Sequence, residues 1–523
     1  MERFKTKLIL LVLLIICLGV ITFYGVFGLS ISPFSTNKIK STRKEQENLT
    51  TITAINGTNI AYDKNTNTYF YTISKRSIGS TVALKLEFDG NYKYKFKGHA
   101  INLVKVDFNR TYKVTIYNKN KYYETKIRFT NLPIVNIGVN SDITRDETNS
   151  DFTYINSTLL NKVVNNNSTI KIRGQSSSVF PKKSYKIKMY NKSYSKDKDI
   201  IMSKFYYGSS FILDALYRDS SKVRNLLATQ LWNVVSNDFT NIDIYSEFVE
   251  VFINNEYKGL YLLTEPINRT KLGLTKSKGN NTSVIIKSSG WQTQYSKDLN
   301  DLNLNSDVIL DYELKYPNDE ELYYKSWETF LDITKDYYDA EKENSYEIIS
   351  NTWNIKNYID MVIFNAFINN VDNVLLKNNY FYMKDINSHQ LYIQPWDMEY
   401  SFGLTYYSND NLETSTLNYN NILKAKKKND YKSTILLNLD SYPNKMKKLI
   451  VKRYFELRKN GLNSEYLNKL LDKYSDELNL GSALRDSEIW LEYDINDEFK
   501  FIKNWIKNRL EFMDKYMKGI KYE

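Results

Sequence analysis

The spacing of apolar residues changes along this chain, and the change restricts the fold to a combination of sheets and helices. From about residue 51 to 190, and again over residues 248–265, apolar and polar residues alternate in short runs. Alternation with a period of two is typical of strands that bury one face. Over residues 441–520, apolar residues recur instead at intervals of three and four, as in amphipathic helices. The sequence therefore predicts an α+β protein with a helical C-terminal part.

Turn signals divide the predicted strands into two units. Residues 51–131 hold about seven short runs punctuated by turns such as Asp89-Gly90, and this pattern predicts a small all-β sandwich. A second unit begins near residue 132 and extends to residue 523. Within it we predict hairpins over residues 248–265 and 380–394, and helices over residues 219–235, 351–370, 446–459, 464–478 and 497–517.

The N-terminus carries an apolar run over residues 8–29, preceded by Arg3, Lys5 and Lys7. A helix needs about 20 apolar residues to span a bilayer, and the flanking positive charges favour a cytoplasmic N-terminus. We therefore predict a single-pass transmembrane anchor over residues 1–29, a polar tether over residues 30–50, and a body outside the cell. Cleavage after Gly28, which would secrete the protein, is the alternative.

Cysteine and histidine are too rare for several classes of site. Cys17 is the one cysteine, and it lies in the apolar run, while His99 and His389 are the two histidines. The remainder of the chain therefore has no disulfide or thiolate metal site, and a zinc site or a Ser-His-Asp triad is disfavoured. The net charge of +12 is spread among acidic residues. This favours a solvated surface, with an acidic partner as the alternative, and no nucleic acid is expected.

Two short segments combine carboxylates and amides in a pattern typical of a Mg²⁺ and phosphate site. Asp397, in Pro395-Trp396-Asp397, follows Asp372 by 25 residues, and Asn378 and Asn379 lie between them. Mg²⁺ is usually held by one or two carboxylates together with substrate phosphates. Protein kinases place a loop aspartate, an asparagine and a second aspartate in this order. The alternative is a buried Trp396 beside a turn with surface carboxylates.

A second segment is suited to phosphate. Arg173-Gly174-Gln175-Ser176-Ser177 leads into Pro181-Lys182-Lys183. A strand, a loop with a glycine and hydroxyls, and then a lysine-bearing strand is one way in which a fold can contact phosphates. Alternation places Lys183 on the same face as Tyr185, so we expect Lys183 to point inward. A basic surface hairpin is the alternative.

Taken in order, these motifs resemble the spore coat protein H (CotH) kinase family, over about residues 132–515. The residue before Asp372 is Val371, so the chain lacks the His-Arg-Asp triplet of typical kinases. Further motifs that fit the family are Asp219-x-Ser221-x-x-Arg224-Asn225, Asn255-x-Tyr257-x-Gly259-x-Tyr261-x-x-x-Glu265, Tyr312-Glu313-Leu314-Lys315, Phe402-Gly403, and Trp490 with Trp505-x-x-x-Arg509.

The resemblance implies an atypical protein-kinase-like catalytic domain over residues 132–523, which transfers the γ-phosphoryl group of ATP to Ser or Thr of a Ser-rich coat or cell-surface protein. Asp372 would accept the proton of the acceptor hydroxyl. Asp397 and Asn378, with Asn379 as the alternative to Asn378, would hold Mg²⁺ or Mn²⁺. The nucleotide-binding residues that the family match implies are Arg173, Ser176, Ser177 and Lys183, with Glu265 and Lys315 matched in position but without an assigned role.

Three other functions fit the same sequence. The chain is also compatible with a non-catalytic, membrane-anchored protein that serves surface or spore-coat assembly or adhesion. Phosphoryl transfer to a surface glycan is a second alternative, and a metal-dependent hydrolase is a third. Retention of Asp372, Asn378 and Asp397 together favours the kinase, because a non-catalytic protein could lose any one of them freely.

Overall fold

The structure is a computed structural model of the 523-residue chain. The predicted anchor and tether, residues 1–50, lie outside the residues that it describes. The described residues are 52–99, 101–119, 122–156, 162–174, 176–202, 207–236, 244–279, 282–288, 302–309, 312–334, 345–370, 373, 379–404, 439 and 442–521.

The N-terminal β unit consists of short strands around its own core. Where a sandwich of about seven strands is predicted, the structure has ten strands in three sheets, of order β2-β1-β6, β3-β4-β10-β9-β7 and β5-β8. In β9 the side chains of Tyr112, Val114 and Ile116 are buried in alternation with more exposed ones. The strands are β1 Ile52–Ile55, β2 Thr58–Asn59, β3 Ala61–Asp63, β4 Thr68–Thr72, β5 Thr81–Ala83, β6 Leu86–Phe88, β7 Lys93–Phe96, β8 Leu103–Lys105, β9 Thr111–Tyr117 and β10 Tyr122–Thr130.

The second unit begins with a closed seven-stranded sheet of order β11-β12-β13-β14-β17-β19-β18. Parallel pairing of β11 with β18 closes it, and its interior is filled by side chains such as Ile187, Met189 and Phe211. The strands are β11 Ile134–Val139, β12 Thr148–Asn156, β13 Lys162–Arg173, β14 Ser184–Tyr190, β17 Ser210–Asp214, β18 Ser246–Ile253 and β19 Glu256–Thr264, with a separate pair β15 Ile200–Ile201 and β16 Tyr207–Gly208.

An open antiparallel sheet and the helices complete the fold. The open sheet has the order β21-β22-β20-β23-β24, and one hydrophobic core joins it to the helices through residues such as Trp232, Trp353 and Trp505. Its strands are β20 Val284–Ser288, β21 Val308–Ile309, β22 Tyr312–Tyr316, β23 Tyr380–Lys384 and β24 Tyr392–Pro395. The helices are α1 Arg224–Val235, α2 Tyr323–Thr334, α3 Tyr346–Thr352, α4 Ile355–Ile368, α5 Asn444–Asn460, α6 Ser464–Leu478, α7 Ser482–Ile489 and α8 Ile495–Gly519.

The predicted α+β class is confirmed, and the kinase-like fold remains a prediction. Both hairpins and all five predicted helices are present, with ends that differ by a few residues. Three helices were not predicted from the sequence: α2, α3 and α7. α3 and α7 have seven and eight residues, so their periodic signal covers too few turns to be recognised. α2 has twelve residues and buries Trp327, Phe330 and Leu331 at helical spacing, a signal that could have predicted it.

The prediction of a single-pass membrane protein is wrong for the part of the chain that the structure describes. No helix there is long and apolar enough to span a bilayer. The longest helix, α8, interrupts its apolar residues with Lys503, Lys507 and Asp514, so it can bury only one face against the protein. The apolar run over residues 8–29 lies outside the described residues.

Candidate functional site

Four charged side chains from four separate elements meet where the closed sheet faces the open sheet. Arg173 ends β13, Asp214 ends β17, Lys287 lies in β20, and Asp397 follows β24. Burial and the neighbouring Asp214 carboxylate raise the pKa of Asp397, and the positive charges of Arg173 and Lys287 oppose that rise. The four groups are therefore close enough to act on one another electrostatically.

The pKa of Lys287 is shifted by the same neighbouring charges. Burial lowers its pKa, and the positive charges of Arg173 and Lys315 lower it further, while Asp397 acts in the opposite direction. Within the described residues, no hydrogen bond or ion pair involves the side chains of Arg173, Lys287 or Asp397. Charged groups that are partly removed from water are normally paired, so this half-buried set is a candidate for binding a charged ligand.

Asp397 has a backbone conformation that few residues other than glycine adopt. Its φ is 56°, in the left-handed region, which costs of the order of 1 kcal/mol or more for such a residue. Hydrogen bonds on both sides hold this turn: the Trp396 amide donates to the Asn379 carbonyl at 2.9 Å, and the Met398 amide donates to Asn225 Oδ1 at 3.2 Å. Strain of this kind is often found at functional positions.

The segment after Asp397 is fixed by packing. Phe402 is fully buried, and its amide donates to the Ile368 carbonyl at 2.9 Å. Gly403 has a φ of +90°, and a Cβ atom there would lie 2.8 Å from both Phe501 and Trp505 of α8. Only glycine fits at that position. Trp396, by contrast, is half-buried and packs edge-on against Phe381.

The amide of Asn373 connects two segments of the predicted metal site. Asn373 is buried, and its Nδ2 donates to the carbonyl of Asn379 at 3.1 Å and to that of Trp396 at 3.3 Å. Asn379 is buried as well, with a φ of 62° and an amide that donates to the Ser288 carbonyl. Asp372 and Asn378 themselves lie outside the described residues, so their predicted roles stay predictions.

The predicted phosphate loop is a tight turn after β13. Gly174 has a φ of +92°, and a Cβ atom there would lie 2.0 Å from Ser177 Oγ, so the glycine is required by both conformation and space. Ser176 begins a short 3-10 turn over Ser176–Val179. Arg145 Nη2 donates to Ser178 Oγ at 2.5 Å, and Lys183 Nζ donates to the Ser178 carbonyl at 2.9 Å. Lys183 therefore stabilises the loop.

The prediction that Lys183 points inward is wrong, because the buried lysine is Lys182. β14 begins only at Ser184, so the alternation that we extended back to residue 183 does not apply there. Lys182 is 1% exposed, and its Nζ lies 2.6 Å from Asp486 Oδ1 of α7. Burial lowers the pKa of Lys182 to about 8, and the Asp486 carboxylate opposes that shift.

Glu265 and Lys315, which the family match includes, both have ion-pair partners. Glu265 is buried, pairs with Lys271 at 2.5 Å and accepts a hydrogen bond from the Tyr245 amide at 2.8 Å. Lys315 pairs with Glu313, two residues before it on the same face of β22. The positive charge of Lys315 nevertheless reaches Lys287, so Lys315 lies at the margin of the charged group.

Arg224 has a structural role. Its side chain is fully buried, and its Nη1 donates to Asp219 Oδ1 at 2.6 Å and to Glu498 Oε2 at 3.1 Å. The backbone amide of Arg224 also donates to Asp219 Oδ2 at 2.8 Å. These contacts fasten the N-terminus of α1 to α8, as expected for a helix anchor.

The oxygen donors of this site suit a hard divalent cation held partly by substrate. Among the described residues, no three His, Cys, Asp or Glu side chains form a group that could hold a metal ion. Two carboxylates, those of Asp214 and Asp397, are close enough for the charge of Asp214 to raise the pKa of Asp397. Mg²⁺ usually takes one or two protein carboxylates and completes its shell with water and phosphate oxygens, so the donor set fits.

Two members of the site, Lys287 and Asp214, were not predicted from the sequence. Each had a recognisable signal, because each is a single charged residue within an apolar strand: Lys287 in Val284–Ser288 and Asp214 at the end of Ser210–Asp214. A charge in such a strand needs a reason. The role of such a charge depends on which other charged side chains lie near it in the folded protein. Those neighbours are set by strand pairing between distant segments of the chain.

Comparison with known families agrees with this geometry. A family model described as CotH kinase protein matches residues 170–513, about two thirds of the chain. The chain belongs to the CotH kinase family. The match begins in β13, just before the phosphate loop, and ends in α8, so it contains all four charged residues of the site. A search of curated proteins returned no significant match. Membership in a kinase family implies the use of ATP and a divalent cation in general terms.

Proposed function

We propose that this CotH family member is an ATP-dependent phosphotransferase that acts on Ser or Thr hydroxyls of a protein, at the cleft between its closed and open sheets. The observation that carries the proposal is the set of charges without hydrogen-bond or ion-pair partners in the described part of the chain: the carboxylate of Asp397 beside the cations Arg173 and Lys287. A scaffold has no need to keep such charges together, whereas phosphoryl transfer depends on them.

The cations are suited to the triphosphate. Arg173 ends the strand that leads into the loop at Gly174, so backbone amides and hydroxyls of that loop would approach the same phosphates. Lys287 approaches from the open sheet. Its lowered pKa results from burial and from neighbouring positive charge, and the negative charge of a bound phosphate would offset both effects by favouring the ammonium form of Lys287.

The acidic side of the site is suited to the cation that accompanies the nucleotide. Asp397, facing Asp214, would hold Mg²⁺ or Mn²⁺, which would neutralise phosphate charge during transfer. In this proposal Asp372 accepts the proton of the acceptor hydroxyl. A bond forms between the hydroxyl oxygen and the γ-phosphorus, the bond from that phosphorus to the β–γ bridging oxygen breaks, and ADP leaves.

The acceptor that we propose is a Ser-rich coat or surface protein, because the family resemblance points to that class. A surface glycan would present the same kind of hydroxyl, and water as the acceptor would make the protein a hydrolase. The three alternatives differ in the product that carries the phosphate, and an experiment can therefore separate them.

The test measures transfer of label from γ-labelled ATP by the full-length chain, with Mg²⁺ or Mn²⁺, to a Ser-rich protein acceptor. We expect wild type to label the acceptor and Asp397→Ala to lose about a thousandfold in rate or more, as expected when a group that holds the cation is removed. Asp472→Ala is the matched control, since Asp472 is an exposed aspartate on α6 and its loss should leave the rate unchanged.

Release of free phosphate without labelled protein would instead identify a hydrolase. If wild type neither labels protein or glycan nor binds nucleotide with a divalent cation, the phosphotransferase proposal is wrong. A non-catalytic assembly or adhesion protein would then be the better description.

A further inference from the structure

The side chain of Asn225, which the family motif contains without an assigned role, bridges the two halves of the site. Its Nδ2 donates to Asp214 Oδ2 at 3.1 Å, and its Oδ1 accepts from the Met398 amide at 3.2 Å. Asp214 ends a strand of the closed sheet, and Met398 directly follows Asp397. We propose that Asn225 is a positioning residue that holds the Asp397 carboxylate toward Asp214 for a shared divalent cation. This inference rests on the proposed function.

The two hydrogen bonds explain why the residue is an asparagine. Its amide must donate to a carboxylate on one side and accept from a backbone amide on the other, and a carboxamide is the group that offers both. An aspartate would keep the acceptor for Met398 but would set a third carboxylate against Asp214. An alanine would offer neither contact.

This bridge is anchored at Asn225 itself and at Asp214. Asn225 is the second residue of α1, whose first residue, Arg224, is fastened between Asp219 and Glu498. Asp214 Oδ1 also accepts from the Leu216 amide at 3.2 Å. Because neither Asn225 nor Asp214 can shift freely, the bridge fixes the distance between the closed sheet and the turn at Asp397.

The second hydrogen bond acts on the peptide group that follows Asp397. That residue has a φ of 56°, and such a conformation persists only when its surroundings hold it. The Met398 amide is one of the described backbone contacts that do so, together with the Trp396 amide bonded to the Asn379 carbonyl and the Trp396 carbonyl that accepts from Asn373. Without Asn225, the turn can relax toward an ordinary conformation and carry the Asp397 carboxylate away from Asp214.

The experiment titrates Mg²⁺ against full-length protein with a non-hydrolysable ATP analogue, and measures nucleotide binding by calorimetry. In Asn225→Ala and Asn225→Asp, we expect the Mg²⁺ concentration for half-saturation to rise about tenfold, as for the loss of one or two hydrogen bonds. Binding of the analogue without metal should stay unchanged. Gln230→Ala, in the same helix and likewise half-buried, is the control that should match wild type.

Two further measurements on the same variants separate positioning from simple loss of structure. A positioning role predicts that Asn225→Ala raises the Mg²⁺ requirement while its melting temperature and its binding of the analogue without metal stay close to those of wild type. A merely structural defect would lower the melting temperature and would weaken binding of the analogue both with and without metal.

The outcomes distinguish the two proposals. If wild type shows no metal-dependent nucleotide binding, the proposed function fails, and this inference fails with it. If wild type binds but both variants keep its Mg²⁺ response, or lose binding of the analogue equally with and without metal, the inference about Asn225 alone is overturned and the proposed function stands.

Discussion

Two groups of charges in this molecule contain the same residue types and have opposite characters. At the junction of the N-terminal β unit, the closed sheet and α7, each charge has an oppositely charged partner: Arg485 with Glu250, and Lys182 with Asp486. At the candidate site, no described ion pair involves Arg173, Lys287 or Asp397. Full burial of a charge therefore does not by itself indicate function, whereas a cluster of half-buried charges without described partners is a candidate for a ligand site.

The Glu250 carboxylate has several partners at the junction. Glu250 is fully buried and accepts from Thr130 Oγ1 at 3.0 Å and from the Tyr257 hydroxyl, besides pairing with Arg485. Burial opposes the charge on Arg485, but Glu250 and Tyr257 outweigh it and raise the pKa of that guanidinium. Arg485 also lies over the ring of Phe70 in the N-terminal β unit. These contacts dock that unit against the family-matched part of the chain.

The largest expected effect is on stability, from breaking the junction. Arg485→Ala should lower the free energy of unfolding by about 3–5 kcal/mol, because it leaves Glu250 buried without its cation. Urea unfolding of the full-length protein measures this. The nucleotide-binding affinity of the protein that remains folded should be unchanged, since the junction is not part of the site.

Lys503→Ala is the control for that prediction. It removes a cation from an exposed pair with Asp472, and such a pair contributes about 1 kcal/mol or less. If both variants lose similar amounts, the contrast between the buried junction and ordinary surface pairs does not hold.

The second effect tests a half-buried carboxylate, Glu247, that has hydroxyl partners instead of a cation. Tyr154 donates to Glu247 Oε1 at 2.9 Å, and burial, the largest influence, raises the pKa of Glu247 to about 7. The native state therefore keeps a proton on Glu247 between its ordinary pKa, near 4.5, and 7, while the unfolded state has released it. Stability from this group is complete below pH 4.5, falls as the pH rises through this window, and levels off above it.

Glu247→Gln removes that dependence on pH. We expect wild type and variant to be about equally stable at pH 4.5, and the variant to be more stable by roughly 2–3 kcal/mol at pH 8. Urea unfolding at both pH values measures the difference. If the difference in stability between wild type and variant is the same at both pH values, the native pKa of Glu247 is not raised above its value in the unfolded chain.

The smallest expected effect sharpens the other half of the comparison. Lys287→Ala should weaken binding of a Mg²⁺–ATP analogue about tenfold, in line with the loss of one charge-assisted contact. It should change the free energy of unfolding by no more than about 0.5 kcal/mol, because Lys287 has no described ion pair to lose. Calorimetry and urea unfolding measure the two quantities separately.

Lys113→Ala provides the matched control for Lys287. Lys113 is an exposed lysine of β9 in the N-terminal β unit. Its substitution removes the same charge from a strand that is not part of the proposed site. A loss of stability in Lys287→Ala comparable to that of Arg485→Ala would show that Lys287 is a structural charge, and the distinction between the two groups would disappear.

The sequence by itself determined the α+β class, the two hairpins, the long helices and the family. These features could be predicted because they depend on residues that lie close together in the sequence: on local periodicity, and on short motifs such as Phe402-Gly403. The short helices α3 and α7 offered too few turns for the same analysis. The end of a strand was equally hard to define, and an error of one residue at Ser184 exchanged Lys182 for Lys183.

Only the tertiary structure decided which charges are paired. Lys182 and Lys287 are both lysines beside or within apolar strands, and nothing near either one in the sequence distinguishes them. Asp486, 304 residues away, neutralises Lys182, whereas Lys287 faces Asp397 and Arg173 without a described partner. Electrostatic interaction depends on distance in space and on exclusion of water, and both are set by packing between segments that lie far apart in the chain.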